Sequence, residues 1–332
     1  MEQTDFVLYY WNNAPIPAEL NQVLVNTNTT ISVPINFDLM DPSFPLTVPL
    51  AESLKNASDA GVKIELFTTF PFLYENLTEV LPHFLSVFLN YTDYYDLNIS
   101  YLCYDIENGS LDPDVLERAE NSFLPNAIWL PESAAVRNSE WEELYNVMHE
   151  VGDQLKAEGM QLRITALPYI MDEFDGDHDI FQIVGQPVWD DDPTYYEYTS
   201  VMAYRSHGPT FPVHPGNSII YEHVVGTRKT YGGKIAVCIG NMNAEPYLTV
   251  KALGNDVRLA VAAGAHSVRL FQGASWIYGF GGPAYGFSGL ESLLLELRNG
   301  GEAIWYPDME WERFVFSQIK RDAILDLSKP WL

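Results

Sequence analysis

The hydrophobic residues of the chain fall into short apolar runs that alternate with longer segments in which apolar residues recur every three to four positions. A short apolar run predicts a strand that is buried on both faces, and the longer spacing predicts an amphipathic helix. The predicted strands are 6–11, 30–38, 62–70, 99–107, 161–169, 199–204, 234–240 and 267–271. The predicted helices are 17–25, 50–60, 77–89, 140–157, 219–229, 249–263, 290–298 and 311–327.

Eight strands that alternate with helices predict an α/β fold, a (β/α)8 or TIM barrel, in which residues 1–332 form a single domain. An open doubly wound sheet is the alternative architecture. Such a sheet typically carries a Gly-rich phosphate loop, and neither G-x-G-x-x-G nor G-x-x-x-x-G-K-[ST] occurs in the chain. We therefore expect the barrel, with a long connection at 108–139 after strand four and an extra C-terminal helix.

The fourth predicted strand ends in two acidic residues, Asp105 and Glu107. Because side chains alternate along a strand, the two carboxylates share one face with Cys103 and lie about 6.6 Å apart along the strand. Burial of two like charges is costly, so the pattern favours an acid pair that shares a proton at the rim of a pocket. Residues 108–110 predict a turn directly afterwards, so a strand end that faces solvent is the alternative interpretation.

The other predicted strands also end in chemically useful side chains. In a parallel barrel these ends meet at one mouth, where active sites of this fold lie. Aromatic rings stack on sugar faces, and amide, acidic and guanidinium groups bind sugar hydroxyls, although each aromatic could also be a core residue. The candidates besides the acid pair are Tyr9, Trp11, Phe37, Met202, Tyr204, Arg205, Asn241 and Trp276.

Two of these motifs resemble a known family. Asp105-Ile106-Glu107 at the end of strand four and Val201-Met202-Ala203-Tyr204 at the end of strand six are similar to signatures of the chitinase family, family 18 of the glycoside hydrolases. Tyr9, Phe37 and Trp276 match the family more loosely, and the resemblance runs along the whole chain in order. It implies a TIM-barrel glycosidase that hydrolyses polymers or glycans containing N-acetylated amino sugars.

The resemblance also implies a role for each matched residue. Glu107 would be the general acid that protonates the glycosidic oxygen. Asp105 would stabilise the oxazolinium ion that forms when the acetamido group of the substrate attacks the anomeric carbon, and Tyr204 would hold that group in line. This substrate-assisted route retains the anomeric configuration and needs no nucleophile from the enzyme. Trp276 would form the floor of the site by stacking.

The chain departs from the family pattern at three positions. The two earlier acids of the strand-four signature are Ser100 and Cys103 here, and the usual Asp after the strand-six motif is Arg205. These changes indicate a diverged substrate, or loss of activity with retained sugar binding. Two alternatives therefore stay open: a retaining glycosidase that uses Glu107 and Glu245 about 5–5.5 Å apart, and a non-catalytic carbohydrate-binding barrel.

The amino-acid composition argues against some classes of binding partner. The 18 basic residues against 45 acidic ones, a net charge of −27, argue against nucleic acid and anionic membranes. No apolar run reaches the roughly 18 residues of a membrane span. The acidic residues at 172–179 lack the calcium-loop pattern, and His207 and His214 lack a third zinc ligand. We expect a monomer that binds a carbohydrate substrate, with no metal and no cofactor.

The cysteines and the N-glycosylation sequons give information on the cellular location of the protein. Cys103 and Cys238 lie in predicted strands four and seven, too far apart for a disulfide, which predicts free buried thiols. Asn-x-Ser/Thr tripeptides begin at Asn28, Asn56, Asn76, Asn90, Asn98 and Asn108. Their density predicts an extracellular or cell-surface protein. Because residues 1–4 run directly into a strand, we expect the leader peptide to be missing from this sequence.

Overall fold

A computed structural model of the protein describes residues 4–10, 15–69, 77–105, 138–166, 196–202, 220–221, 224–225, 228, 234–240, 250–271, 277–278 and 285–304. The strands over these residues are β1 (Asp5–Tyr9), β2 (Thr30–Pro34), β3 (Ile64–Thr69), β4 (Tyr101–Asp105), β5 (Gln161–Ala166), β6 (Tyr196–Met202), β7 (Ile235–Gly240) and β8 (Ser267–Phe271). The helices are α1 (Ala18–Asn26), α2 (Phe37–Met40), α3 (Thr47–Asp59), α4 (Leu77–Tyr94), α5 (Asn138–Ala157), α6 (Val250–Ala263) and α7 (Gly286–Arg298).

The eight strands form a closed parallel barrel. Each strand pairs with the next in chain order, and β8 pairs with β1 to complete the ring. At this closure Val7 of β1 lies between Thr30 of β2 and Arg269 of β8. The predicted α/β class and (β/α)8 TIM-barrel architecture are thereby confirmed. That residues 1–332 form one domain, with the long connection and the C-terminal helix, stays a prediction because those segments lie outside the described residues.

The main hydrophobic core lies between the barrel and the helices. Alternate strand residues point outward, and aliphatic side chains such as Leu8, Ile31 and Leu66 are fully buried there against the helical layer. The helices present matching apolar faces, as α4 does with Phe84 and Phe88. None of the helices in the described part of the chain is both long and apolar enough to cross a membrane.

The second strand is shorter than predicted. It ends at Pro34 instead of continuing to residue 38, and Phe37–Met40 form the short helix α2. The physical reason is a helix cap: the side-chain oxygen of Asn36 accepts a hydrogen bond from the backbone N–H of Leu39 over 2.9 Å. This bond satisfies an otherwise unpaired donor of the first helical turn and favours a helix over a continued strand.

Candidate active site at the mouth of the barrel

Three predicted site residues end strands at the same end of the barrel. Tyr9 is the last residue of β1, Asp105 of β4 and Met202 of β6. Because all strands are parallel, their carboxyl ends meet at one mouth. The Cα atom of Met202 lies opposite that of Cys238 in β7. The structure therefore brings these three positions to the end of the barrel where we expected the site.

Asp105 projects into the barrel. It follows Cys103 by two residues, so the two side chains share the inward face of β4, and Asp105 is only 5% exposed. Its negative charge contributes to raising the pKa of both Cys103 and Cys238, thiols that belong to strands on different sides of the barrel. A carboxylate whose charge influences thiols on both strands must lie in the interior of the barrel. This position suits a charge that interacts with a bound substrate.

A cluster of aromatic rings and thiols fills the interior near the mouth. The Tyr9 ring packs edge-on against Phe67 at 5.2 Å between centroids and lies 5.6 Å from the ring of Phe271. Cys103 and Cys238 belong to the same buried cluster. Five strands contribute to it, and residues from so many strands of a closed barrel can meet only inside. Tyr9 is 2% exposed, so it packs within this cluster and is not part of the protein surface.

Both thiols are neutral at physiological pH. Burial raises the pKa of Cys103 and of Cys238 to about 12, and the positive charge of Arg269 offsets only part of that shift. The sulfur of Cys103 also lies 3.3 Å from the hydroxyl oxygen of Thr165. Both cysteines are free and buried, which confirms the prediction. The inward residue that precedes Asp105 on β4 is therefore uncharged, where the chitinase-like pattern would place an acid.

A buried charge cluster occupies the interior below the rings. Glu65 of β3, Arg163 of β5 and Arg269 of β8 are at most 1% exposed. One carboxylate oxygen of Glu65, Oε2, accepts from Nη1 of Arg163 at 3.1 Å, and the other, Oε1, accepts from Nη2 of Arg269. Burial of each charge alone would be very costly, so the ion pairs are what allows these three residues to lie inside the barrel.

Further polar groups complete this cluster. Arg163 donates to Glu197 over 2.7 Å and to Asp5 over 3.3 Å, and its guanidinium carbon lies 3.3 Å from the centre of the Tyr101 ring. The hydroxyl of Ser32 donates to Glu65 over 2.5 Å. These contacts give each of the two charged groups several partners, as a buried ionic network requires.

Arg269 connects the charge cluster to the layer of rings and thiols above it. Its Nη1 donates to the hydroxyl of Ser200 over 3.0 Å, and its Nη2 lies 3.6 Å from the sulfur of Cys103. Its guanidinium carbon also lies 4.9 Å from the centre of the Tyr9 ring. Burial raises the pKa of the Tyr9 hydroxyl well above its ordinary value, and the nearby Arg269 charge opposes that shift. Tyr9 is therefore a neutral phenol.

We did not predict the charge cluster from the sequence. Three of the predicted strands carry a charged residue between aliphatic neighbours at an inward position, and this pattern could have indicated the cluster. The three residues are Glu65, Arg163 and Arg269. Such a residue in a strand covered on both faces needs a partner of opposite charge. The identity of that partner depends on strand register across the barrel, which the linear pattern does not contain.

Phe37 lies apart from the interior cluster. At the start of α2, its ring stacks on His83 at 5.4 Å and packs edge-on against Phe84 at 5.2 Å, both residues of α4. The structure therefore places Phe37 in the layer between the barrel and the helices. A contact between Phe37 and a substrate stays a prediction.

Several predicted residues lie outside the described part of the chain. Their predicted roles are untested by the structure, as is that of the Met202 side chain. Within the described residues, no group of three or more His, Cys, Asp or Glu side chains could hold a metal ion. The predicted residues outside the described part of the chain are Trp11, Glu107, Tyr204, Arg205, Asn241, Glu245, Trp276, His207, His214 and the acidic residues at 172–179.

The fold is shared with solved structures of glycoside hydrolases. A GH18 chitinase from Pseudoalteromonas aurantia is 12% identical with a TM-score of 0.52, covering 88% of this chain and 100% of its own. The endo-β-1,4-mannanase of Thermotoga petrophila is 9% identical with a TM-score of 0.55, covering 90% and 77%. The spore cortex-lytic enzyme SleL of Bacillus cereus is 12% identical with a TM-score of 0.53, covering 89% and 75%.

These likenesses establish the class of fold. At such low identity they show a shared TIM-barrel architecture over most of the chain, and residue roles do not transfer from them. No protein-family model and no curated protein matches the sequence.

Proposed function

We propose that this protein is a glycoside hydrolase that cleaves polymers or glycans containing N-acetylated amino sugars with retention of configuration. In this proposal Glu107 is the proton donor, Asp105 stabilises the charged intermediate and Tyr204 positions the acetamido group. The observation that carries the proposal is the burial of the Asp105 carboxylate inside the barrel at the carboxyl end of β4. The protein would act outside the cell or at its surface.

The proposed reaction assigns each bond change to a group. The acetamido oxygen of the substrate attacks the anomeric carbon while the bond to the leaving oxygen breaks, and Glu107 protonates that oxygen. The oxazolinium ion that forms carries positive charge, which Asp105 stabilises as a buried anion. Water then attacks the same carbon, the acetamido group is released, and Glu107 recovers its proton. No nucleophile of the protein forms a covalent bond.

Two observations support a glycoside hydrolase. The Asp-x-Glu and Met-x-Tyr motifs of the chitinase-like resemblance begin at Asp105 and Met202, which are the last residues of β4 and β6. The barrel also shares its fold with solved enzymes whose names state that they act on sugar polymers: a chitinase and an endo-β-1,4-mannanase. In this proposal Trp276 stacks on the face of a sugar ring.

A second candidate function is sugar binding without hydrolysis. The observation that favours it is the neutral thiol of Cys103 beneath Asp105, since an acid there would share a proton with Asp105. A barrel that lacks this partner can retain its affinity for a sugar while its turnover falls. We favour the hydrolase because Glu107, the proposed general acid, is present.

The decisive experiment compares the wild-type protein with Glu107→Gln. Turnover is measured on a series of acetylated amino-sugar oligomers with the product anomer followed by NMR, and binding is measured separately by calorimetry. We expect Glu107→Gln to lower kcat by about 10²–10⁴-fold while Kd changes little, because a general acid acts mainly in the transition state.

The matched control is Glu79→Gln, at an exposed glutamate of α4, which should leave turnover unchanged. Binding without turnover by the wild-type protein would favour the sugar-binding barrel. Turnover of substrates without a 2-acetamido group would favour the two-carboxylate mechanism with Glu107 and Glu245. Absence of both binding and turnover across the oligomers would overturn the proposed function.

A further inference from the structure

We propose that Asn28, Asn56, Asn90 and Asn98 carry N-linked glycans, and that these glycans cover the end of the barrel opposite the mouth. Each asparagine begins an Asn-x-Ser/Thr tripeptide without proline at the middle position. All four are exposed in the structure, as a bulky hydrophilic glycan requires. The inference is independent of the reaction proposed for the mouth.

Two of the four asparagines lie in loops that lead into strands. Asn28 precedes the first residue of β2 by two positions, and Asn98 precedes that of β4 by three. In a parallel barrel every strand begins at the same end. The backbone of Asn28 has a φ of 46°, in the left-handed region that asparagine tolerates better than most residues, so its side chain lies in a tight exposed turn.

The other two asparagines lie near the ends of helices that run back to the same end. Asn56 is three residues before the end of α3, and Asn90 is four residues before the end of α4. At about 1.5 Å per residue, both are within roughly 6 Å of the helix end along its axis. Lys55 donates to the carboxylate of Asp96 over 2.9 Å and thereby joins the end of α3 to the loop that precedes Asn98.

The glycan-bearing end is well separated from the mouth. Tyr101 and Asp105 are the first and last residues of β4, and at roughly 3.3 Å per residue they are about 13 Å apart along the strand. Asn98 lies beyond Tyr101 on the far side from Asp105. Glycans at these four positions would therefore shield one end of the barrel and leave the mouth accessible to a large polymer.

The hydroxyl residues of two tripeptides show when the glycans must be attached. Thr30, which follows Asn28, is 1% exposed within β2, and Thr92, which follows Asn90, is 5% exposed and donates to the carbonyl of Leu89. A transferase that must recognise the hydroxyl cannot reach it in the folded barrel. Attachment to the unfolded chain during secretion avoids this difficulty.

The test expresses the full chain behind a cleavable secretory leader in eukaryotic cells. The intact mass of the secreted protein is measured before and after peptide-N-glycosidase treatment in H₂¹⁸O, and labelled aspartates are then located by peptide mass spectrometry. We expect label at all four positions. Asn28→Gln, Asn56→Gln, Asn90→Gln and Asn98→Gln should each remove the mass of one glycan.

Asn26→Gln is the matched control, because Asn26 is exposed near Asn28 but its tripeptide ends in Asn28 instead of a hydroxyl residue. It should remove no glycan. Ser58→Ala and Ser100→Ala provide second variants that abolish the Asn56 and Asn98 tripeptides while keeping the asparagines. Secreted, folded protein whose mass does not change on treatment would overturn the inference, as would label confined to Asn76 and Asn108.

Discussion

Glu65 of β3 and Arg269 of β8 form an ion pair inside the barrel, and both side chains are completely excluded from solvent. A single charge in such an environment would be strongly destabilising, so each depends on the other and on Arg163. The pair also lies directly below the buried cluster of rings and thiols, and Asp105 helps to raise the pKa of both thiols. The ion pair therefore stabilises the part of the barrel that carries the candidate site.

Removal of the Glu65 charge should destabilise the protein strongly. Glu65→Gln keeps the shape of the side chain but leaves two guanidinium groups facing a neutral amide. Breaking a buried ion pair in this way costs about 3–5 kcal/mol. Urea unfolding followed by circular dichroism measures the loss. Glu52→Gln, at an exposed position of α3, is the control and should change stability by less than about 0.5 kcal/mol. A Glu65→Gln value as small as the control would contradict the ionic account.

Removal of both charges together should cost less than the two single changes predict. In Glu65→Leu with Arg269→Met, no uncompensated charge remains at this pair, and Arg163 keeps Asp5 and Glu197 as partners. The free energies of unfolding of the two single variants and the double variant form a cycle. We expect a coupling of about 0.5–3 kcal/mol in favour of the double variant. Strict additivity would show that the two side chains act independently.

Asp105→Asn should reduce turnover without unfolding the barrel. The substitution keeps the size of the side chain and removes the negative charge proposed to stabilise the oxazolinium ion. Loss of one such electrostatic contact lowers kcat by about 10²–10³-fold. Oligomer hydrolysis and the melting temperature are measured together. Asp93→Asn at an exposed site on α4 serves as control. Equal turnover of Asp105→Asn and the wild type would remove Asp105 from the mechanism.

The two thiols should resist alkylation in the folded protein. Because burial raises their pKa to about 12, the reactive thiolate is scarce at pH 8 and becomes abundant only as the pH approaches that value. Mass spectrometry after iodoacetamide treatment at pH 8 should show no adduct on the native protein and two on protein unfolded in guanidinium. Rapid labelling of either cysteine in the native state at pH 8 would show that the barrel interior opens.

Gly240→Ala should destabilise the carboxyl end of β7. A Cβ atom there would lie 2.7 Å from the backbone oxygen of Phe271 and 2.8 Å from its Cβ, and the φ of Gly240 is 156°. Overpacking of this kind costs about 1–3 kcal/mol. Gly254→Ala in α6 is the comparison, because its Cβ would lie 3.3 Å from the flexible end of Arg258 and 3.6 Å from a methyl group of Leu297, with no contact as short as 3.0 Å. Thermal melts should show a lower Tm for Gly240→Ala alone. Equal melting temperatures would contradict the predicted clash.

The architecture of the protein follows from the pattern of apolar residues along the chain. Apolar runs as short as 267–271 predicted strands, and the prediction of eight strands with intervening helices led to the closed barrel that the structure confirms. The same alternation placed Asp105 on one face with Cys103. These features are local, since they depend on the spacing of apolar residues within one segment.

The contacts inside the barrel could not be predicted from the chain, because they depend on how distant strands pair. Glu65, Arg163 and Arg269 come from three strands separated by up to 204 positions in the chain, and their ion pairs follow from the register of the closed sheet. Phe37 illustrates the converse: we predicted it at the end of strand two, whereas the Asn36 cap begins a helix in which Phe37 packs against His83 and Phe84. The spacing of apolar residues within a strand can be seen in the sequence, but a contact across the barrel depends on how all eight strands align.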